Sequence, residues 1–113
     1  MNDRLPAKVE ASAIIRRAES QGDFAMLIKR GDPDRGAITL LVCERGEIVA
    51  VLERQLDTHF NYSWSNISAD RPFNQADWRD FLEKKRKFDP DFWAIELDVA
   101  DGQRFVAETT STG

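Results

Sequence analysis

Two neighbouring apolar runs, residues 38–43 and 48–52, constrain the fold of this 113-residue chain more than any other feature of its sequence. In both runs, each of the two alternating sets of positions is largely apolar. Because successive side chains of a strand point to opposite faces of a sheet, such strands are expected at the centre of a sheet that is covered on both faces. Arg45-Gly46 between the runs favours a tight reversal. The sequence therefore predicts two central strands joined by a hairpin turn.

Three further segments alternate in the manner of strands, namely residues 24–29, 60–65 and 92–99. The turn-rich stretch 31–36 separates the first of them from the central pair, so we expect the first three strands to form a meander. Asp101-Gly102 favours another hairpin turn, with a return strand through residues 104–106. Together these segments predict a sheet of five to six strands.

Two segments have the spacing of helices. The first carries its apolar side chains at i, i+3, i+4 and i+7, on Ala11, Ile14, Ile15 and Ala18, and Gly22 is placed to end it. In the second, Asn74 and Asp77 have the spacing of a capping box, and Asp89-Pro90 stops the helix. Its apolar stripe comprises Trp78, Phe81, Leu82 and Phe88.

The predicted fold class is α+β, a mainly antiparallel twisted sheet of five to six strands with two helices packed on it. A chain of this length suits one domain, which we place over residues 1–107, and the threonine- and serine-rich residues 108–113 are expected to be a disordered tail.

Composition narrows the function classes. Apolar residues make up 42% and charged residues 32% of the chain, as in globular proteins, and the net charge is −4. An acidic balance argues against a general affinity for nucleic acid or for anionic membranes. No apolar run approaches the length of a membrane span, and no export signal is recognised at the N-terminus. Cys43 is the only cysteine, so it cannot form a disulfide within the chain, which agrees with a reducing compartment. We expect Cys43 to be a small core residue. We therefore expect a cytoplasmic protein.

Two Asp-Pro-Asp triplets, Asp32-Pro33-Asp34 and Asp89-Pro90-Asp91, are the most conspicuous polar features. Aspartate before proline initiates turns, and its side chain accepts hydrogen bonds from nearby backbone amides. We therefore expect both triplets to be structural turns rather than a metal site. If the segments meet in space, their carboxylates and the nearby arginines form a candidate set of ligand or partner contacts: Arg30, Asp32, Asp34, Arg35, Asp89 and Asp91.

Motifs for catalysis and cofactor binding are not found. The chain has no glycine-rich phosphate loop, no paired Cys-x-x-Cys and no His-Glu-x-x-His, and His59 has no accompanying nucleophile motif. We predict no catalytic residue, no metal and no cofactor, which favours a non-catalytic role without excluding an enzyme.

The run Lys84-Lys85-Arg86-Lys87 is the best candidate for contact with nucleic acid, because basic side chains bind phosphates and neighbouring aromatics can stack bases. Cations at the end of a helix are also expected from the helix dipole alone. Nucleic-acid binding through this run is kept as an alternative function.

The segments Lys29–Ile38 and Phe88–Glu96, together with Arg16-Arg17, resemble the signature stretches of the bacterial domain-of-unknown-function family 1491. The resemblance covers roughly residues 5–107. It implies a compact, small bacterial protein and assigns no catalytic residue.

By elimination, the sequence favours a small non-catalytic binding or accessory module that acts on an unidentified protein partner. One alternative is a ligand-binding or hydrolytic domain that uses the Asp-Pro-Asp carboxylates and nearby arginines. Another is a nucleic-acid binder that uses Lys84–Lys87. The oligomeric state and the order of the strands stay open.

Overall fold

The computed structural model describes residues 5–56, 58–59, 61–70 and 73–111. Three helices and five strands follow one another as α1 (Ala7–Ser20), β1 (Phe24–Lys29), β2 (Ile38–Glu44), β3 (Glu47–Leu56), β4 (Tyr62–Asn66), α2 (Gln75–Phe88), β5 (Trp93–Asp98) and α3 (Gly102–Ser111). Within these described residues, every helix is too short or too polar to cross a membrane.

The strands form one sheet in the order β1-β5-β2-β3-β4. β5 runs parallel to β2 and antiparallel to β1, and the remaining neighbours are antiparallel. The α+β class with five strands is confirmed, but the sheet is mixed. The predicted meander is wrong, because β5 lies between β1 and β2. The connection over residues 30–37 is long enough to cross the roughly 10 Å between next-but-one strands.

Helices cover both faces of the sheet. α1 and α3 pack on one face, over inward side chains of the three central strands and Trp64 of β4. α2 packs on the other face through Trp78, with Phe81 and Leu82 partly buried against the same cluster. β2 is buried along almost its whole length, as its two apolar faces predict. The predicted stripe of α2 is wrong at Phe88, whose side chain is 88% exposed.

The turn between β2 and β3 has the predicted form. Arg45 and Gly46 have φ values of 52° and 81°, a left-handed pair that suits a tight hairpin. The carboxylate of Asp98, at the end of β5, accepts hydrogen bonds from both turn amides, at 3.0 and 2.8 Å. The parallel neighbour therefore supports the hairpin from the side.

The expectation of two helices is wrong, because Asp101-Gly102 begins α3 instead of a hairpin. Asp101 acts as the helix cap, with Oδ1 accepting from the Arg104 amide at 3.1 Å, and the Gly102 amide donates to Oε1 of Glu44 at 2.7 Å. The helix continues through residues 108–111, which were expected to be disordered. Residues 112–113, the start of the predicted domain (1–4) and Phe60 of the predicted fourth strand lie outside the described residues.

Candidate functional site

The two Asp-Pro-Asp segments meet at one end of the sheet, and their backbones make the contact. The Asp32 amide donates to the Asp91 carbonyl oxygen at 2.9 Å, and the Trp93 indole donates from Nε1 to the Asp32 carbonyl oxygen at 2.7 Å. Gly31 lies so close that a Cβ added there would be 2.1 Å from the same Asp91 oxygen. The junction is therefore a close backbone crossing.

The carboxylate of Asp32 is used within its own turn. Its Oδ2 accepts from the amides of Asp34 and Arg35, at 3.0 and 2.7 Å. The same loop satisfies the start of α1, where the carbonyl oxygens of Pro33 and Asp34 accept the amides of Lys8 and Ala7. Since Pro6 at the N-cap gives no side-chain hydrogen bond, the loop takes over the capping.

The six predicted contact residues lie around this junction. Asp89 is the C-cap of α2 and is half-buried, as is Asp32, whereas the other four are exposed: Arg30, Asp34, Arg35 and Asp91. The guanidinium of Arg30 lies over the Trp93 ring at 5.6 Å. Among the described residues, no group of three or more His, Cys, Asp or Glu side chains is arranged to hold a metal ion.

Lys29 ties the end of β1 to the second triplet. Its ammonium donates to the carbonyl oxygens of Pro90 and Phe92, and lies 4.7 Å from the centroid of the buried Phe92 ring. The C-terminal end of β1, the junction and the end of α2 therefore form one side of the molecule.

β1 is an edge strand with an unusual number of exposed apolar side chains. Phe24, Met26 and Leu27 are 52%, 45% and 39% exposed. In register, Phe24 and Met26 stand beside Asp98 and Glu96 of β5, on the face of the sheet that carries α2. Within the described part of the chain, no strand pairs with the outer side of β1.

The basic run at the end of α2 is divided between two environments. Lys85 points inward, pairs with Glu53 at 2.6 Å, and lies within 6 Å of the ring centroids of Phe81 and Phe92. Lys84, Arg86 and Lys87 are exposed. The surface available to phosphates is therefore smaller than the sequence suggests.

Two features on the face of the sheet that α1 and α3 cover were not predicted from the sequence. A cavity of about 100 Å³ lies between α1 and α3, with Leu40 and Leu97 among its lining residues. Nearby, Arg54 of β3 pairs with Glu10 of α1 at 3.2 Å and lies over the rings of Tyr62 and Trp64. The signal for Arg54 was present, because it follows Ala50 and Leu52 at alternate, inward positions.

Cys43 is the buried core residue that the sequence predicted, 2% exposed. Burial raises the pKa of its thiol to about 11, and the carboxylates of Glu96 and Asp98 add to the shift. A raised pKa keeps the thiol protonated at neutral pH, so it is a poor nucleophile. His59 lies exposed in the turn that follows β3.

Comparisons with known proteins agree with this fold. No curated protein matches the chain significantly. A crystal structure of a DUF1491 family protein from Caulobacter crescentus CB15 has a TM-score of 0.71 and 28% identity, covering 87% of this chain and 89% of that chain. An NMR structure of a DUF1491 family protein from the same organism has a TM-score of 0.75 and 26% identity, covering 87% and 88%.

The solution structure of protein Atu0922 from A. tumefaciens has a TM-score of 0.73 and covers 88% of this chain and 89% of that chain; at 24% identity, the likeness shows the fold alone. The family model described as "Protein of unknown function (DUF1491)" matches residues 5–107. The resemblance noted in the sequence is thus confirmed, and the chain belongs to the DUF1491 family, whose function is unknown.

Proposed function

We propose that this protein is a non-catalytic interaction module of the cytoplasm that accepts an extended strand of a protein partner at the outer edge of β1. The observation that carries this proposal is the exposure of Phe24, Met26 and Leu27 on an edge strand. Sheet edges present unpaired backbone groups, and proteins usually protect them with charges, prolines or short lengths. β1 has six residues and apolar side chains on both faces, and its register against β5 is regular from Phe24 to Leu27, before a bulge between Leu27 and Lys29. The regular stretch suits strand addition.

The candidate contact residues supply the rim of this surface. Protein interfaces commonly combine an apolar centre with a polar, solvent-accessible margin. Arg30 directly follows β1, and Asp34, Arg35 and Asp91 are exposed at the neighbouring junction. In our proposal these four side chains contact the partner, while Asp32 and Asp89 hold the two turns in place.

The two alternative functions have less support. A hydrolytic or metal-dependent role needs free carboxylates that converge on one point, whereas Oδ2 of Asp32 already accepts two backbone amides. A role in nucleic-acid binding needs clustered cations, whereas Lys85 is paired with Glu53 and the net charge is −4. The buried thiol of Cys43 is consistent with the proposed cytoplasmic location.

Site-specific photo-crosslinking in the native cells tests the proposal. We expect a photoreactive residue at position 24 or 26 to give one discrete protein adduct, because both side chains would lie against the added strand. Val9 is a matched control, since it is apolar and 48% exposed but belongs to helix α1 and not to the edge strand. An absence of adducts from both β1 positions, or the same adducts from position 9, would contradict the proposal.

A further inference from the structure

We infer that the strand accepted at this edge belongs to a second copy of the same chain, with the two β1 strands antiparallel about a two-fold axis at Met26. This inference rests on the proposed function and names its partner. Closed two-fold dimers are the commonest assemblies of soluble proteins, and their interfaces must be self-complementary. The surface around β1 meets that requirement in both its apolar pattern and its charge.

The apolar pattern is symmetric about Met26. With the axis perpendicular to the sheet, Met26 faces its own copy and Ala25 faces Leu27. Phe24 faces Ile28, which lies in the bulge where the register against β5 shifts. Phe24 lies on the α2 face by its register with β5, and Ile28 packs against the buried cluster of that face. Ala25 and Leu27 stand opposite Leu97 and Ile95, on the other face. Every cross-strand pair is then apolar, which is the kind of pairing that stabilises a sheet.

The two ends of β1 carry opposite charge, with carboxylates around the start of the strand and cations at its end. The groove around Phe24, at the start of the strand, is lined by the carboxylates of Asp23, Glu96 and Asp98 and by one cation, Arg45. At the other end, β1 closes with Lys29, whose ammonium is held at the carbonyl oxygens of Pro90 and Phe92, and the exposed Arg30 follows it. The carboxylates of Asp32, Asp34, Asp89 and Asp91 also lie at this end, but they are outnumbered there by Lys29, Arg30 and Arg35 together with the exposed cations at the end of α2. An antiparallel second copy brings the acidic end of each chain to this predominantly basic end of the other, twice over. Such complementarity fixes orientation and register.

The end of α2 adds to the basic side. Lys29 is hydrogen-bonded to Pro90, two residues beyond Phe88, so the exposed cations Lys84, Arg86 and Lys87 lie at the same end of the molecule as Lys29. Phe88, 88% exposed, lies there too. In the paired arrangement this end approaches Phe24 and the carboxylates beside it, which gives the exposed aromatic a place at the interface.

A disulfide test reads the register directly. Residues directly opposite in an antiparallel pair have Cα atoms about 4.5–5.5 Å apart, within the range that a disulfide spans. We expect Met26→Cys to form a covalent dimer under mild oxidation. Val9→Cys serves as the matched control, and the native Cys43 is buried and does not contribute.

Sedimentation equilibrium of the purified protein gives the oligomeric state without crosslinking. We expect a mass of twice the 12.9 kDa of one chain. Met26→Lys should give the monomer, because two ammonium groups would meet at the axis, whereas Val9→Lys should leave the dimer intact. Asp23→Lys should weaken the dimer about tenfold, and adding Arg30→Glu to Asp23→Lys should restore it.

A wild-type monomer at about 100 µM, a concentration that detects weak dimers, would overturn the inference. So would disulfide formation by Met26→Cys that is no faster than by Val9→Cys. If the purified chain is monomeric while positions 24 and 26 crosslink to a different protein in cells, the proposed function stands and only the identity of the partner is wrong. If those positions also give no adduct, both proposals are wrong.

Discussion

Replacing Gly31 with alanine is expected to lower the free energy of unfolding by about 3 kcal/mol or more, at the upper end of the cost of overpacking. An added Cβ would lie 2.1 Å from the Asp91 carbonyl oxygen and 2.6 Å from the carbonyl carbon of Phe92. Both are backbone atoms, which cannot rotate away as a side chain does. The two Asp-Pro-Asp segments would have to separate, and the hydrogen bond from the Asp32 amide would be strained or lost.

Gly22→Ala is the control for this effect. Gly22 also resists substitution, because its φ is 82°, but an added Cβ would meet nothing within 4 Å. A left-handed alanine costs about 1–2 kcal/mol. Urea unfolding measures the loss of unfolding free energy in each variant, and the difference between them separates the cost of the close approach at Gly31 from the cost of a left-handed backbone at Gly22. A loss for Gly31→Ala no larger than that for Gly22→Ala would contradict the close crossing of the two segments.

Phe92→Ala is expected to cost about 3–5 kcal/mol, as other large-to-small changes at buried aromatic residues do. Phe92 is fully buried immediately before β5, under Lys29 and Lys85, whose ammonium groups lie 4.7 and 5.5 Å from its ring centroid. The substitution leaves a cavity and removes both cation–π contacts. For a domain of this size, the melting temperature should fall by roughly 15 °C.

Phe88→Ala provides the matched comparison, since it removes the same ring from a side chain that is 88% exposed. We expect its effect on stability to stay within about 0.5 kcal/mol, as for other surface positions. Thermal unfolding at low protein concentration measures both variants. Equal losses for the two variants would mean that Phe92 is not the core residue that the structure shows.

The parts of the fold that follow local rules could be predicted from the sequence. Two-faced apolar runs identified β2 and β3, and Arg45-Gly46 identified their turn. The capping box of α2 also forms as expected, with Asn74 and Asp77 exchanging side-chain and backbone hydrogen bonds at 2.9 Å. In each of these elements, the local residue types already favour the observed conformation, and distant contacts such as those of Asp98 with the β2–β3 turn add to it.

What could not be predicted depends on long-range contacts. Asp-Gly serves a hairpin turn and a helix start equally well, and here Glu44, 58 residues away, holds the Gly102 amide and favours α3. The insertion of β5 between β1 and β2 likewise has no local signal. β1 pairs with β5 on one side and with no described strand on the other, so its alternating apolar residues, which resemble those of a buried strand, are partly exposed.

For the candidate contact residues, too, local features could be predicted from the sequence and long-range contacts could not. The turn role of Asp32 follows from its type and its place before proline. The meeting of the two triplets, in contrast, depends on a backbone hydrogen bond between two loops that lie at one end of the sheet and are 59 residues apart in the chain. The open edge of β1 was missed for the same reason, since only the order of the strands reveals it.

Amide hydrogen exchange along β1 tests most directly whether its outer edge is paired. The informative groups are the β1 amides that donate no hydrogen bond to β5, compared between the wild-type chain and Met26→Lys over a range of concentrations. We expect these amides to exchange about tenfold or more slowly in the wild type at high concentration, and to lose that protection on dilution. Equally fast exchange in both proteins at every concentration would show an unpaired edge and contradict self-association through β1.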